Sequence, residues 1–227
     1  MISRTTWSTG RFGWEKTRLS APDTKNNGKE ISETVIDLYR AHAAEFDQSR
    51  GKDMREAPWF DRFLALMPAS SHILDIGCGS GEPIARYCIE RGCAVTGIDA
   101  SEELIALCRS RFPKHCWHVE DMRQLDIDKQ FDGLIAWHSF FHLTPDDQRF
   151  MFPRFASHAK SGGALMFTSG PTAGEVIGEW QGRPLYHASL SAEEYRQLLH
   201  DNGFRVLHHR VEDPQCGGAT VWLAQKN

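Results

Sequence analysis

The residue types best able to do chemistry are concentrated in the run Leu74-Asp75-Ile76-Gly77-Cys78-Gly79-Ser80-Gly81-Glu82-Pro83. Gly77, Gly79 and Gly81 stand where a short apolar run, 72–76, gives way to a helical pattern. Glycines at such a junction permit a tight turn and let a ligand lie against bare backbone, with no Cβ in between. Asp99 ends the next apolar run, 22 residues after Gly77, where a carboxylate can accept hydrogen bonds from both hydroxyls of a ribose. Together these features predict an adenosine-type ligand lying across the carboxyl ends of the first strands.

Charge narrows the choice of adenosine. A dinucleotide would place its pyrophosphate on the helix N-terminus, but Glu82 occupies that first turn and competes for the same amide groups. The spacing is also G-x-G-x-G rather than G-x-G-x-x-G. Asp75 and Glu82 make the pocket acidic, which suits a cationic sulfonium with a free ammonium, and S-adenosylmethionine meets that requirement. Two readings stay open beside methyl transfer. One is a non-catalytic module that binds S-adenosylmethionine or S-adenosylhomocysteine; the other, disfavoured by Glu82 and by the loop spacing, is an NAD-dependent oxidoreductase.

Residues 137–143 (WHSFFHL) hold the next candidates. Histidine is the side chain best poised near neutral pH, so His138 is the candidate general base, with a structural role as its alternative. His142 either orients that base or ties its own loop to backbone. The i, i+4 spacing of the two invites a metal, but no third ligand accompanies them and no metal is expected. Cys78 has no histidine partner, so packing is its default role over nucleophilic attack. His208 and His209 alternate across a strand and read as structural. Trp180, Tyr186 and His187 sit in an insertion rich in Gly and Pro, 170–190, read as a substrate lid; Tyr186 and His187 either contact an acceptor or plug the loop.

Alternating elements must position these groups. Apolar runs at 72–76, 94–98, 117–119, 131–136 and 163–168 read as strands, with helices at 82–91, 101–111 and 145–159. Ser101 and Thr144 are N-caps, Glu102 and Glu103 fill one first turn, and Pro145 starts the other helix. Such alternation predicts a parallel sheet with helices on both faces and right-handed crossovers. The end of the chain breaks the rhythm: a helix capped by Ser191 and Glu194 stops before Gly203, and strands 204–211 and 219–224 follow with no helix between them. Strands joined so closely should be antiparallel. Upstream, helices from Ser32 and from Pro58 form a helical cap over 31–68.

The motifs resemble those of the class I S-adenosylmethionine-dependent methyltransferases of small-molecule type. Asp75 to Gly81, Asp99, then Glu120-Asp121-Met122 and Ala136-Trp137-His138-Ser139 occur in that family's order, and the resemblance covers roughly residues 33–225. It implies an α/β fold: a Rossmann-like three-layer sandwich with a mostly parallel seven-stranded sheet, a C-terminal antiparallel hairpin and an N-terminal helical cap. It further implies that backbone around Gly77, Cys78 and Gly79, beside Asp75, holds the methionine end of the cofactor. Asp99 and the adjoining Ala100 would hold the ribose and Asp121 the adenine amino group, with Met122 packed on the ring. Trp137 and His138 would border the cofactor and face the acceptor. The family often carries Y-x6-Y-D-x-x-R in its N-terminal helix; here Tyr39, Asp47 and Arg50 stand, but Phe46 replaces the second tyrosine. The implied activity is O- or N-methylation of a small molecule. An N-P-P-Y signature is absent, and Trp137, Phe140, Phe141, Trp180 and Tyr186 suggest an apolar or aromatic acceptor.

Composition agrees. The 227 residues carry 26 Lys and Arg against 30 Asp and Glu, a formal charge of -4, and a mildly acidic chain lacks the basic face that nucleic acid requires. No apolar run approaches the ~18 residues of a membrane span, and the opening stretch has no apolar run of the length that a signal peptide's central region needs. The expectation is a cytoplasmic protein with a small-molecule methyl acceptor and neither nucleic-acid nor membrane partners. Residues 1–30 hold six basic and three acidic side chains without periodicity and read as a flexible basic arm before the domain at 31–227. Trp7, Phe12 and Trp14 could dock on the body or on a second copy, which leaves a homodimer open. The six cysteines include no C-x-x-C pair and read as reduced, packed thiols.

Overall fold

The structure, a computed structural model, describes the backbone of residues 17–18 and 21–227 and the side chains from residue 28 onward. Trp7, Phe12 and Trp14 lie outside the described residues. The chain begins with β1 (Thr17–Arg18), α1 (Ala21–Ala41), α2 (Ala43–Ser49) and α3 (Ala57–Leu64). Alternation follows through β2 (His72–Ile76), α4 (Ile84–Glu90), β3 (Ala94–Asp99), α5 (Glu102–Arg111), β4 (Cys116–Val119), β5 (Phe131–Ala136), α6 (Pro145–His158) and β6 (Ala159–Ser169). A hairpin of β7 (Gly174–Trp180) and β8 (Arg183–Ser189) precedes α7 (Ala192–Asp201), β9 (Phe204–Asp213) and β10 (Ala219–Lys226).

One sheet has seven strands in the order β4-β3-β2-β5-β6-β10-β9. Strands β2 to β6 pair in parallel, while β10 runs antiparallel to both β6 and β9. Both faces are covered, so the strands read as continuous apolar runs whose alternate residues enter different cores. Ile73 packs with Phe60, Phe63, Ile84 and Ile105 from α3, α4 and α5; its neighbour Leu74 packs with Phe152, Phe155, Tyr195 and Leu199 from α6 and α7. Each such side chain contributes roughly 2 kcal/mol on burial. The expected caps are formed: Ser101, Thr144 and Ser191 accept from the backbone N–H groups of Leu104, Asp147 and Glu194. All six cysteines are free thiols and five are buried. Among the described residues no helix is long and apolar enough to cross a membrane.

Two regions differ from expectation. The first helix starts at Ala21 rather than Ser32, and Thr17–Arg18 pairs antiparallel with β7, so ordered structure reaches into the stretch read as a basic arm. Gly28 explains the close seating of α1: a Cβ there would lie 2.8 Å from Glu175 Oε2. The insertion at 170–190 is a regular hairpin instead of an irregular loop. Gln181 and Gly182 both adopt positive φ (53° and 69°), the paired left-handed geometry that matches strand twist in a two-residue turn. β1, β7 and β8 thus form a second, three-stranded antiparallel sheet that packs against α1.

Candidate active site

A cavity of about 240 Å³ opens where β2, β3 and β5 end, between the large sheet, the helical cap and the hairpin. Its floor is the glycine loop. Gly77 has φ +72°, and its N–H and that of Cys78 donate to Ile98 O at 2.8 and 3.0 Å, so the loop continues the β2–β3 register past the sheet. A Cβ on Gly77 would come within 2.3 Å of Ser139 Cβ and 3.2 Å of Met122 Cε. The loop therefore lies as close to the segments after β4 and β5 as backbone can.

Two carboxyl groups border the loop in different states of satisfaction. Asp99 accepts from Gly79 N–H and Ser101 N–H, each at 2.9 Å, and so joins the glycine loop to the start of α5. Burial raises its pKa, opposed by those two amides. Asp75 is buried, and its Oδ2 has no hydrogen-bond partner among the described residues. Burial pushes its pKa up to about 7, with the Asp99 charge adding to the effect and Arg50 opposing it. Cys78 and Cys108 both point their thiols at Gly79 O, and burial pushes the Cys78 thiol well up, which disfavours the thiolate.

The cap supplies groups that were only partly read from sequence. Asp47 on α2 takes a bidentate hydrogen bond from Arg111 at the end of α5, 2.6 Å to each oxygen, and Arg111 also reaches Ser80 O. That guanidinium holds the Asp47 carboxyl down at about 2. So pinned, α2 lays Phe46 over Gly79 and leaves Arg50 lining the cavity with no hydrogen bond or ion pair to the described residues. Burial lowers the Arg50 pKa, and Glu56, Tyr39 and Asp75 oppose that shift. Arg40 donates to Ala100 O at 2.9 and 3.1 Å, fixing α1 beside Asp99. Asp47→Asn should lower the affinity for S-adenosylhomocysteine about tenfold, because it breaks one half of a partly buried charged pair worth roughly 1–3 kcal/mol. Isothermal calorimetry reads that loss. In the parent protein the folded-state pKa of Asp47 is depressed, so its stabilising effect is present above the ordinary carboxylate range and disappears as pH falls toward 2.

Opposite the glycine loop stands a wall of flat rings. His138 has φ +55°, unusual for a residue with a side chain, and its N–H is held by Thr168 Oγ1 at 2.9 Å. Its ring lies 5.3 Å from Trp137 and 5.8 Å from Phe141. Burial, reinforced by Arg50 and His142, holds the His138 pKa down at about 3. Phe141 and His142 pack on His187 with centroids at 5.2 and 4.8 Å. Trp180, at the hairpin tip, packs on Tyr39, His42 and Phe46 of the cap and completes a roof. His142 ties these pieces together. Its Nδ1 lies 2.8 Å from Tyr186 O, an acceptor, so Nδ1 carries the proton and Nε2 accepts from the Tyr39 hydroxyl at 3.2 Å.

The cavity brings together Asp75, Gly77, Cys78, Gly79, Asp99, Ala100, Asp121, Met122, Trp137, His138, His142, Trp180 and His187. Tyr186 is not among its lining residues. Its ring is fully buried under α1 and its hydroxyl donates to Glu175 at 2.6 Å; only its backbone carbonyl serves the site. Asp121 caps the turn that follows it and holds Arg123 through both oxygens. Glu82 lines the cavity, but it precedes α4 instead of lying in its first turn, and Arg86 takes its carboxylate bidentately. Its acidity therefore counts for less in the pocket than its position in the sequence implies. Among the described residues no cluster of His, Cys, Asp or Glu could hold a metal ion.

The unmet groups specify a ligand. A ligand that meets them would carry a donor or cation for the orphaned Asp75 oxygen and an anion for Arg50, as a free amino acid does, with the bare backbone of the glycine loop and Asp99 lining the same cavity. S-adenosylmethionine fits that set. Residues 73–163 match the family described as a methyltransferase domain. An O-methyltransferase of Pyrenophora dematioidea is 29% identical over 60% of this chain and 55% of its own, so the alignment spans about half of that relative. The Streptomyces venezuelae dTDP-3-amino-3,4,6-trideoxy-alpha-D-glucopyranose N,N-dimethyltransferase is 26% identical over 76% of this chain and 75% of its own. Among solved structures, the Burkholderia thailandensis 1,6-didemethyltoxoflavin-N1-methyltransferase, which holds S-adenosylhomocysteine, superposes with a TM-score of 0.74 at 17% identity, covering 95% of this chain and 96% of that one. The matched domain contains the glycine loop, Asp99 and the loop after β5, so residues 73–163 are similar to a methyltransferase domain and the fold as a whole is similar to that of S-adenosylmethionine-dependent methyltransferases.

Proposed function

We propose that the protein transfers the methyl group of S-adenosylmethionine to an oxygen or nitrogen of a small molecule bound under the roof. The observation that carries this reading is the presence, in one cavity with a glycine-lined floor, of a buried Asp75 Oδ2 and an Arg50 guanidinium that have no hydrogen-bond partner among the described residues. When bound, S-adenosylmethionine supplies an electrophilic methyl group on a positively charged sulfur. Asp75 and Arg50 hold the two charges of its amino-acid end, Asp99 the ribose, and Asp121 with Met122 the adenine side. The rings of His138, Phe141 and His187 set the acceptor's plane, and Trp180 with Tyr39 closes the site to water. Rate enhancement then comes mainly from proximity and alignment, which can supply several kcal/mol. His138 is neutral at physiological pH and serves as a hydrogen-bonding partner for the acceptor; its depressed basicity makes it a poor proton store.

Two measurements test the proposal. Calorimetry should show S-adenosylhomocysteine binding whose affinity rises with pH up to about 7 and then levels, with proton release below that point. The sign follows from Asp75: its raised pKa leaves it protonated below about 7, and a cation beside it favours the ionised form. Incubation with methyl-labelled S-adenosylmethionine and a metabolite pool should transfer label to small molecules. Binding without label transfer would instead support the non-catalytic module, and NAD bound with S-adenosylhomocysteine ignored would overturn both.

A further inference from the structure

We infer that the acceptor is a planar conjugated hydroxyl compound, a phenol or an enol, taken up as its oxyanion with the Trp137 indole N–H donating to the reacting oxygen. This rests on the methyl-transfer reading and narrows it. Trp137 is only 4% exposed and lines the cavity, yet its Nε1 is buried with no partner among the described residues. An indole N–H can only donate, and a buried donor left unmet is costly, so its partner must bring a lone pair. A reacting amine has a single lone pair, directed at the methyl group, and otherwise offers only N–H donors. A hydroxylate oxygen has lone pairs to spare.

The surroundings of His138 point the same way. Arg50 faces it from the cap and His142 from its own loop, and His187 joins the wall through Phe141. No carboxylate is among the groups that perturb it; Asp75 and Asp99 lie on the glycine-loop side, and Glu56 acts on Arg50. Among the described residues no hydrogen bond or ion pair joins a carboxylate to His138, and the low basicity of His138 does not supply a proton acceptor for a protonated aliphatic amine placed against it. Conjugation removes that need by making the hydroxyl acidic, and it also makes the acceptor flat enough to lie along the rings of His138, Phe141 and His187. In the step, an oxyanion lone pair forms the O–C bond while the C–S bond breaks and its pair returns to sulfur. No proton moves, and the opposite charges of the two reactants cancel.

The test uses para-nitrophenol with protein loaded with sinefungin, a cationic analogue that cannot give up a methyl group. Below the phenol's own ionisation range, binding should bring up the yellow phenolate absorption. Trp137→Phe, which keeps an aromatic ring but has no N–H, should cut the bound phenolate about tenfold or more. S-adenosylhomocysteine calorimetry on the same variant separates loss of acceptor from loss of cofactor. If that variant does not fold, label transfer by the parent protein decides, with phenols methylated and a dTDP-amino sugar not. Phenol bound in neutral form or not at all, a phenolate band unaffected in Trp137→Phe, or methylation of the amino sugar in preference to phenols overturns the inference while leaving the methyl-transfer reading intact. Failure of the parent protein to bind S-adenosylhomocysteine overturns both.

Discussion

Gly77→Ala is expected to abolish detectable S-adenosylmethionine binding and to lower the thermal unfolding midpoint by several degrees. The added Cβ would sit 2.3 Å from Ser139 Cβ and 2.8 Å from Ser139 Oγ. Ser139 cannot step aside freely, because its hydroxyl donates to Ile76 O at 2.7 Å and so fastens the segment after β5 to the end of β2. The backbone at Gly77 is also left-handed, which costs an alanine about 1–2 kcal/mol before any clash, and overpacking adds roughly 1–3 kcal/mol. Relief by shifting the loop would break its bonds to Ile98 O and move Asp75 and Gly79 together. Scanning calorimetry and S-adenosylhomocysteine titration of the same preparation read the two effects, and an alanine variant that binds with parental affinity would refute the assignment of this loop as the cofactor floor.

Asp99→Ala should be nearly as severe, with a loss of affinity of a hundredfold or more. The carboxylate already holds two amides, Gly79 N–H and Ser101 N–H, and hydrogen bonds to a charged group contribute about 1.5–3 kcal/mol each. Its removal therefore frees both the glycine loop and the start of α5 before any ribose contact is counted. Asp99→Asn separates these roles poorly: an amide has one carbonyl oxygen for two N–H donors, and its NH2 group faces the second. The expected order of affinity is parent, then Asn, then Ala, measured by titration with S-adenosylhomocysteine. An alanine variant within tenfold of the parent would show that the ribose is held elsewhere.

Local signals carried much of this structure. Strand ends, the Ser101, Thr144 and Ser191 caps and the glycine loop depend on residues a few positions apart, so periodicity and capping rules reach them. What escaped depended on distant pairs. The close seating of α1 rests on Gly28 meeting Glu175 and Tyr186, which lie far along the chain. Arg50 belonged to a recognised motif, but its aim into the cavity follows from Asp47 meeting Arg111, 64 positions along the chain. Tyr186 and His187 illustrate strand register: neighbours in β8 face opposite sides, so one reaches the cavity and the other is buried beneath α1. β7 alternates in burial but β8 is buried from Leu185 onward, so the local signal for the hairpin was the Gln181-Gly182 turn rather than period-2 patterning on both strands.

The division of the cavity between floor and roof follows a division of the chain. Every floor residue, from Asp75 through Met122 to His142, lies inside the matched methyltransferase domain at 73–163, whereas Tyr39, Phe46, Arg50, Trp180 and His187 come from segments before and after it. The roof touches the floor mainly through side chains, among them the Tyr39 and Tyr186 carbonyl contacts of His142. Two groups cross that division: the cap supplies Arg50, proposed for the donor's carboxylate, and the domain supplies Trp137, His138 and Phe141 on the acceptor side. A chimera that exchanges only the hairpin at 170–190, leaving Arg50 and residues 73–163 in place, should therefore retain the donor while altering acceptor preference, so that new specificity arises by replacing a covering segment and leaving the reaction's chemistry untouched.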